Sequence, residues 1–186
     1  MSIDDGGTGA ASQLRRLRDG TTIEAALAFF DSLDPVAVKE LIGSWRGEDL
    51  PTGNPLDGLL KKFGWHGKRF DGPDAVHPLI FDIGRGRTVP INPAFTPVGL
   101  MIRRPRLLHT PIAARAFPLI RPLASTKRPK ARLRLTEYRG VVTATMCYDR
   151  LPIHDIFRKV DDDTLVGAMD LRGLDQPFMF VLHRER

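Results

Sequence analysis

Amphipathic helical patterns dominate the first third of the chain. Apolar residues recur every three or four positions after Thr21 and Thr22, which predicts a helix over residues 22–32 with a capping box at its start. Two further short helices are predicted where a capping residue precedes proline and a glycine follows the apolar run; they start at Asp34-Pro35 and Asn54-Pro55 and end at Gly43 and Gly64. We expect each helix to bury one face.

After Lys68 the pattern changes to short apolar runs that Gly, Pro and Asp interrupt. The runs at 76–82, 88–91 and 98–102 are predicted as strands. Residues 103–130 contain prolines at intervals too short for any long helix, because a proline inside a helix costs about 3 kcal/mol. This apolar, arginine-rich segment is predicted to be a lid over the rest of the domain.

The final third has the clearest alternation of apolar and polar positions. Five runs separated by turn residues are predicted as strands, at 132–138, 141–148, 153–160, 164–171 and 177–183. Residues 178–182 are apolar at every position, so this run should be a central strand covered on both faces. The predicted fold is mainly β with α+β character: an antiparallel meander that curls into a barrel, with short N-terminal helices.

Basic residues are concentrated in one part of the chain. Residues 83–136 contain twelve Lys or Arg and no Asp or Glu, whereas acidic residues are in excess elsewhere. Such a segment attracts anionic partners, among them phosphates, lipid headgroups and nucleic acids. Nucleic acid is the least favoured of these, because Phe95 and Phe117 are the segment's only aromatic residues and no reading motif is present.

The length of 186 residues fits one domain, predicted at 21–186, after a flexible tail at 1–20. This tail lacks the apolar core of a secretory signal. The single cysteine, Cys147, excludes an intramolecular disulfide and a cysteine-based metal site. We therefore expect a reducing compartment, the cytoplasm.

The sequence contains no recognisable catalytic motif. The nucleophile elbow, the P-loop and the zinc-protease helix are all absent, and the five histidines lack metal-ligand spacing. No catalytic residue and no metal site are therefore predicted. An enzyme that acts on a hydrophobic substrate is an alternative, with its acid or base among Tyr138, His154, Asp155 and Asp170.

Two segments resemble a known family. Gly43-Ser44-Trp45-Arg46-Gly47, followed by Gly64-Trp65-His66-Gly67, resembles the GXWXG domain. The stretch from Ala131 to Asp170, with Glu137-Tyr138-Arg139-Gly140 within it, resembles the domain of unknown function that regularly accompanies GXWXG. The resemblance implies a calycin-like barrel with a GXWXG part at 21–125, to which the lid at 103–130 belongs, and a C-terminal meander at 131–186. It also implies lipid binding, with which members have been associated.

The Gly-x-Trp element is similar to two further families. In lipocalins the Trp closes one barrel end against a late arginine, a role that Arg184 or Arg186 would take here. In nitrobindin-type proteins a C-terminal histidine holds haem, which gives haem bound through His183 as an alternative. The Gly-rich continuation of those proteins is replaced here by Glu48-Asp49-Leu50-Pro51.

Together these observations favour a non-catalytic protein without a cofactor that binds a hydrophobic or amphipathic anionic ligand in the barrel. Fatty acid or phospholipid is the expected ligand, and peripheral contact with an anionic membrane is a further expectation. Guanidinium groups would hold the headgroup through paired hydrogen bonds. The candidate ligand-binding residues are six apolar or aromatic side chains and five arginines: Trp45, Tyr138, Met146, Phe157, Phe178, Phe180, Arg103, Arg104, Arg106, Arg132 and Arg134.

Overall fold

Short helices precede and interrupt the strands in the computed structural model, which describes residues 6–186. They are α1 (Gly6–Leu17), α2 (Ile23–Ser32), α3 (Val38–Leu41), α4 (Leu59–Phe63), α5 (Val98–Arg103) and α6 (Pro111–Ala124). Helix α2 begins at its predicted cap, where the Thr22 hydroxyl accepts a hydrogen bond from the Ala25 N–H at 3.2 Å. Within the described residues, no helix combines the length and the hydropathy needed to cross a membrane.

The strands form a closed barrel. They are β1 (Asp34–Pro35), β2 (Gly43–Asp49), β3 (Trp65–Gly72), β4 (Ala75–Asp82), β5 (Thr88–Pro90), β6 (Ala131–Tyr138), β7 (Val141–Tyr148), β8 (Ile153–Asp161), β9 (Thr164–Leu171) and β10 (Phe178–Arg184). Eight of them close in the order β2-β3-β4-β6-β7-β8-β9-β10, with β10 paired to β2, while β1 adds to β8 and β5 to β4. All these pairings are antiparallel. The predicted fold class is confirmed, and β6 to β10 are the five predicted C-terminal strands.

Strand alternation divides the apolar side chains into two cores. On β10, Phe178 and Phe180 face the barrel interior, whereas Met179 and Val181 face outward and pack under α1 and α2. Each of the four is at most 2% exposed, so β10 is the central, doubly covered strand that its sequence predicts. The outer core explains why the N-terminal helices are amphipathic.

The two ends of the barrel differ. At one end, here called the closed end, β2 begins and β10 finishes. At the opposite, covered end, β3 begins and β4 finishes, and residues 93–124 pack over the opening together with α4. We call residues 93–124 the covering segment; it contains α5 and α6.

The N-terminal region contains a helix that its sequence did not predict, and the flexibility of residues 1–20 stays a prediction. Residues 1–20 were expected to form a flexible tail, of which 1–5 lie outside the described residues, but α1 forms from Gly6 onward. Leu14 is 3% exposed and belongs to the outer core, which holds the helix in place. The Gly-rich start of α1 does not predict a helix, because glycine has a low helix propensity.

Two elements in the first two thirds of the chain differ from those that the sequence predicts. The helix expected after Asp34 begins only at Val38, because Asp34–Pro35 pairs with β8 as β1. Residues 98–102, predicted as a strand, are in α5; a run this short does not distinguish the two structures by periodicity.

The absence of a long helix from 103–130 was also predicted wrongly, since α6 has 14 residues. Pro111 occupies its first helical position, where no N–H is needed, and the Thr110 side chain caps the helix. Pro118 and Pro122 lie inside α6 but are exposed, so the carbonyl groups that they leave without a donor can be hydrated.

Candidate functional site

The closed end of the barrel is sealed by Trp45. Its indole is 1% exposed, and Nε1 donates a hydrogen bond to the Leu41 carbonyl at 2.7 Å. The Arg184 guanidinium lies 4.2 Å from the indole centroid and donates to the carbonyl oxygens of Ile42 and Glu40. Arg184 therefore takes the position expected from the likeness to lipocalins. Trp45 packs at this end of the barrel, and its role in ligand binding stays a prediction.

An aromatic chain, formed by ring-to-ring contacts, lies in the barrel interior. Phe157 lies 5.9 Å from Phe70 and 6.1 Å from Phe180 between ring centroids, and Phe180 lies 6.0 Å from Trp65. These pairs have the edge-to-face geometry that aromatic rings prefer. Four of the candidate ligand-binding residues, Met146, Phe157, Phe178 and Phe180, are brought together in this interior. Their role in ligand binding stays a prediction.

A buried ion pair lies within this apolar interior. Lys68 Nζ is 2.7 Å from Asp155 Oδ2, and the two side chains are 3% and 1% exposed. Lys68 also donates to the Pro78 carbonyl, whereas Asp155 Oδ1 has no partner among the described residues. Burial raises the pKa of Asp155, and the ammonium group of Lys68 opposes this shift.

The sequence identified Asp155 only as a potential acid or base and did not identify Lys68. Bulges interrupt the pairing of β3 with β4, so the side chains of β3 do not alternate strictly between the two faces of the sheet. The sequence pattern of β3 therefore does not show that Lys68 lies on the inner face. The other candidate acids and bases do not join Asp155. His154 and Asp170 are exposed cross-strand partners, and Tyr138 packs against Phe30 in the outer core.

Two of the five candidate arginines lie on the outer surface of β6. Arg132 is paired with Asp149 at 3.0 Å, and Arg134 with Asp74 at 2.7 Å. The structure therefore does not bring them to the barrel interior. Surface pairs of this kind contribute at most about 1 kcal/mol to stability.

The remaining arginines, Arg103, Arg104 and Arg106, lie in the covering segment and are exposed. None of them has an ion-pair partner within residues 6–186. They are free to meet an anionic group.

Helix α6 presents apolar residues on two faces. On the inner face, Phe117 lies 5.2 Å from Phe63 and 5.0 Å from Phe81, so it plugs the covered end. On the outer face, three apolar side chains are 77–81% exposed: Ile112, Leu119 and Leu123. Exposed apolar residues that share one helix face, in a basic segment, are characteristic of surfaces that bind another apolar body.

His183 does not face the interior. Its neighbour Leu182 is the inward residue, and His183 Nε2 lies 3.0 Å from Glu48 Oε1 on the outer wall. This position does not suit a histidine that holds haem inside the barrel.

A polar pocket of about 370 Å³ opens on the side of the barrel, near the covered end. The pairing of β2 with β3 ends at Arg46 and Gly67, and the pocket lies beyond this point, with α4 at its rim. Its lining includes Arg46, Asp49, Lys61, Trp65, His66 and His183. No local sequence pattern indicates this pocket, because its residues come from separate strands and a helix.

Asp49 is the perturbed acid of this pocket. Its Oδ2 accepts a hydrogen bond from the Gly58 N–H at 2.8 Å, whereas Oδ1 is buried without a partner within residues 6–186. Burial raises its pKa to about 6, and the nearby carboxylate of Asp57 adds to this shift, while hydrogen bonding by Gly58 opposes it.

Replacing Asp49 by asparagine should raise the stability of the protein at pH 8 by about 1 kcal/mol and leave it unchanged at pH 4. The folded protein holds this proton more tightly than the unfolded chain, so Asp49 costs stability as the pH rises from about 4 to above 6. The expected gain in stability is small because solvent partly screens the carboxyl group. Urea unfolding at both pH values measures the effect, and an equal gain at pH 4 would show that titration is not its cause.

The comparisons with known proteins agree with this architecture. Residues 28–86 match the family described as GXWXG protein, and residues 129–184 match the domain of unknown function DUF4334. A crystal structure of a protein from Thermomonospora curvata is similar over 98% of this chain and 99% of that chain, with 31% identity and a TM-score of 0.70. No curated protein matches the chain.

Proposed function

The chain belongs to the family in which a GXWXG segment is followed by DUF4334, and from this premise we propose that it binds an amphipathic anion at the covered end of its barrel. The ligand's apolar part packs among Phe63, Phe81 and the underside of α6. Its anionic group pairs with the arginines of the covering segment. Fatty acid and phospholipid share this chemistry, and the cytoplasm, facing an anionic membrane, is the proposed compartment.

The observation that carries the proposal is the two-faced character of α6. Phe117 already fills an apolar opening of the barrel, so an acyl chain could take its place without exposing polar backbone groups. When α6 moves outward, the exposed side chains Ile112, Leu119 and Leu123 are positioned to contact the lipid surface from which the ligand comes.

The distribution of unpaired arginines also favours a ligand site at the covered end of the barrel. Arg103, Arg104 and Arg106 are exposed and have no ion-pair partner within the described residues, whereas Arg132 and Arg134 are already paired. Guanidinium groups bind phosphate and carboxylate oxygens through two parallel hydrogen bonds. The proposal therefore assigns the headgroup to the first three arginines and removes the other two from the site.

Native mass spectrometry of the purified protein, followed by solvent extraction, tests the proposal directly. We expect a co-purifying mass that extraction identifies as a fatty acid or a phospholipid, and the identity of the extract distinguishes the two. A homogeneous ligand-free mass, together with no binding to vesicles that contain phosphatidylglycerol, would contradict the proposal.

Replacing Arg103, Arg104 and Arg106 together by glutamine should weaken binding to phosphatidylglycerol vesicles by at least about tenfold at physiological salt, since each basic residue near an anionic surface contributes about 1 kcal/mol. The salt dependence should also become less steep. Vesicle co-sedimentation measures both. The matched control replaces Arg15, Arg16 and Arg186, which removes the same charge elsewhere; if both triple variants lose binding equally, only net charge matters.

A further inference from the structure

The side pocket next to β2 is a second place where this protein has unused binding groups. It lies on the barrel wall and shares no lining residue with the covering segment. Its volume of about 370 Å³ is within the range of small-molecule sites. Its lining contains none of the residues assigned to the amphipathic anion, so its ligand need not be that anion.

Most of the charged groups at the pocket already have partners. Glu48 accepts hydrogen bonds from Arg18 at 2.5 Å and from His183 at 3.0 Å. The ring nitrogens of His66 lie 3.0 Å from Asp82 and 2.8 Å from Glu185. The two histidines and their carboxylates are therefore already engaged with one another.

The groups without partners are of a different kind. Arg46 and Lys61 are exposed at the rim, and neither makes an ion pair within residues 6–186. Deeper in the wall, Trp65 is 7% exposed and its indole N–H has no acceptor among the described residues. Asp49 Oδ1 is a buried acceptor without a donor. A buried polar atom that lacks a partner is unfavourable, so a ligand that satisfies it binds more tightly.

We propose that this pocket binds a small hydroxylated anion, with its carboxylate or phosphate on Arg46 and Lys61 and its hydroxyl group donating to Asp49. Hydroxy acids and sugar phosphates share this chemistry. The guanidinium fork of Arg46 suits either oxyanion.

The titration of Asp49 supports this assignment. Its pKa of about 6 follows from burial and from the nearby carboxylates of Asp57 and Glu48, against the opposing charge of Lys61. Arg46, His66, Asp82 and His183 also line the pocket, and Glu185 lies 2.8 Å from His66. Near neutral pH Asp49 is mostly ionised, so it is an acceptor for a ligand hydroxyl.

Two-dimensional NMR of the indole N–H groups tests the proposal, with malate, succinate and glycerol 3-phosphate as probes. The chain has only two tryptophans, and Trp45 at the closed end is an internal reference. We expect the Trp65 signal to shift saturably with malate and with glycerol 3-phosphate while the Trp45 signal stays in place. Malate should bind more tightly than succinate, which differs from it only by the hydroxyl group.

Three variants sharpen the test. Replacing Arg46 and Lys61 by glutamine should weaken binding of both probes by at least about tenfold, because a hydrogen bond to a charged group is lost. Asp49→Asn should abolish the preference for malate over succinate. The control replaces Lys39 and Arg85, two exposed cations outside the pocket, and should bind as the wild type does.

The proposal is overturned if neither malate nor glycerol 3-phosphate produces a saturable shift up to concentrations on the order of 10 mM. Equal shifts of both indole signals, or unchanged affinity in the Arg46→Gln, Lys61→Gln variant, would overturn it too, since these indicate a general ionic effect. Equal binding of malate and succinate by the wild type would remove the role of Asp49. None of these results bears on lipid binding at the covered end.

Discussion

Replacing Lys68 by methionine is expected to destabilise the protein by about 3 to 5 kcal/mol, because the change leaves Asp155 buried without a counterion. Methionine keeps nearly the same length, so loss of packing contributes little. Both side chains are almost completely buried, so water cannot solvate the Asp155 carboxylate in place of the lost ammonium group. Chemical denaturation at pH 7, with the slope checked against the wild type, measures the effect.

The pH dependence distinguishes charge from packing. The Lys68→Met protein lacks the ammonium group that most strongly opposes the effect of burial on Asp155, so the pKa of Asp155 in the folded state rises further above its value in the unfolded chain. Such an acid costs stability as the pH rises. The variant should therefore be closer to the wild type at pH 4.5 than at pH 8, and a loss that is independent of pH would contradict this account.

A second substitution separates the cost of an unpaired charge from the value of the pair. Replacing both Lys68 by methionine and Asp155 by leucine should recover most of the lost stability, since an apolar pair avoids burying either charge. Arg132→Met, which breaks an exposed pair with Asp149, is the matched control and should cost less than about 1 kcal/mol. A double variant no more stable than Lys68→Met would show that the pair is required for the fold.

This ion pair illustrates what the sequence could and could not reveal. The C-terminal strands were predictable because each pairs with its neighbour along the chain and alternates regularly, as Val142 to Tyr148 does. Lys68 lies 87 residues from Asp155 in sequence, and no local pattern connects them. The interior partners of a barrel depend on how the sheet closes, and closure involves strands that are distant in the chain.

The helix α6 in the covering segment could not be predicted from the sequence for a different reason. Five prolines made a long helix between residues 103 and 130 improbable, yet α6 forms because one proline starts it and two others face solvent. Whether a proline is tolerated depends on which carbonyl loses its donor and on whether water reaches that carbonyl. This information is available only after the helix has been placed on the barrel.

Gly47→Ala, at the last glycine of the motif that identifies the family, is expected to destabilise the protein by about 1 to 3 kcal/mol. The six-membered ring of Trp65 occupies the space that the side chain of residue 47 would take, so an added methyl group would overlap it. Trp65 also packs edge-to-face on Phe180 and cannot move without disturbing the aromatic chain. Thermal and urea unfolding measure the loss.

Removing the indole should remove this cost. In a Trp65→Leu background, Gly47→Ala should be neutral or slightly stabilising, because alanine loses less backbone entropy than glycine on folding. Gly99→Ala is the control for that entropy, since nothing lies within 4 Å of the added methyl group. Gly67→Ala should not be rescued, because its methyl group would meet the backbone carbonyl of Trp45.

If Gly47→Ala is equally costly with and without Trp65, the glycine is required by its backbone and not by the indole. If the cost disappears, the two tryptophans of the chain have separate roles. Trp45 then closes one end of the barrel against Arg184, while Trp65 needs the final glycine of the motif for its place between the aromatic interior and the side pocket. The motif would in that case fix a wall of the candidate site as well as the end of the fold.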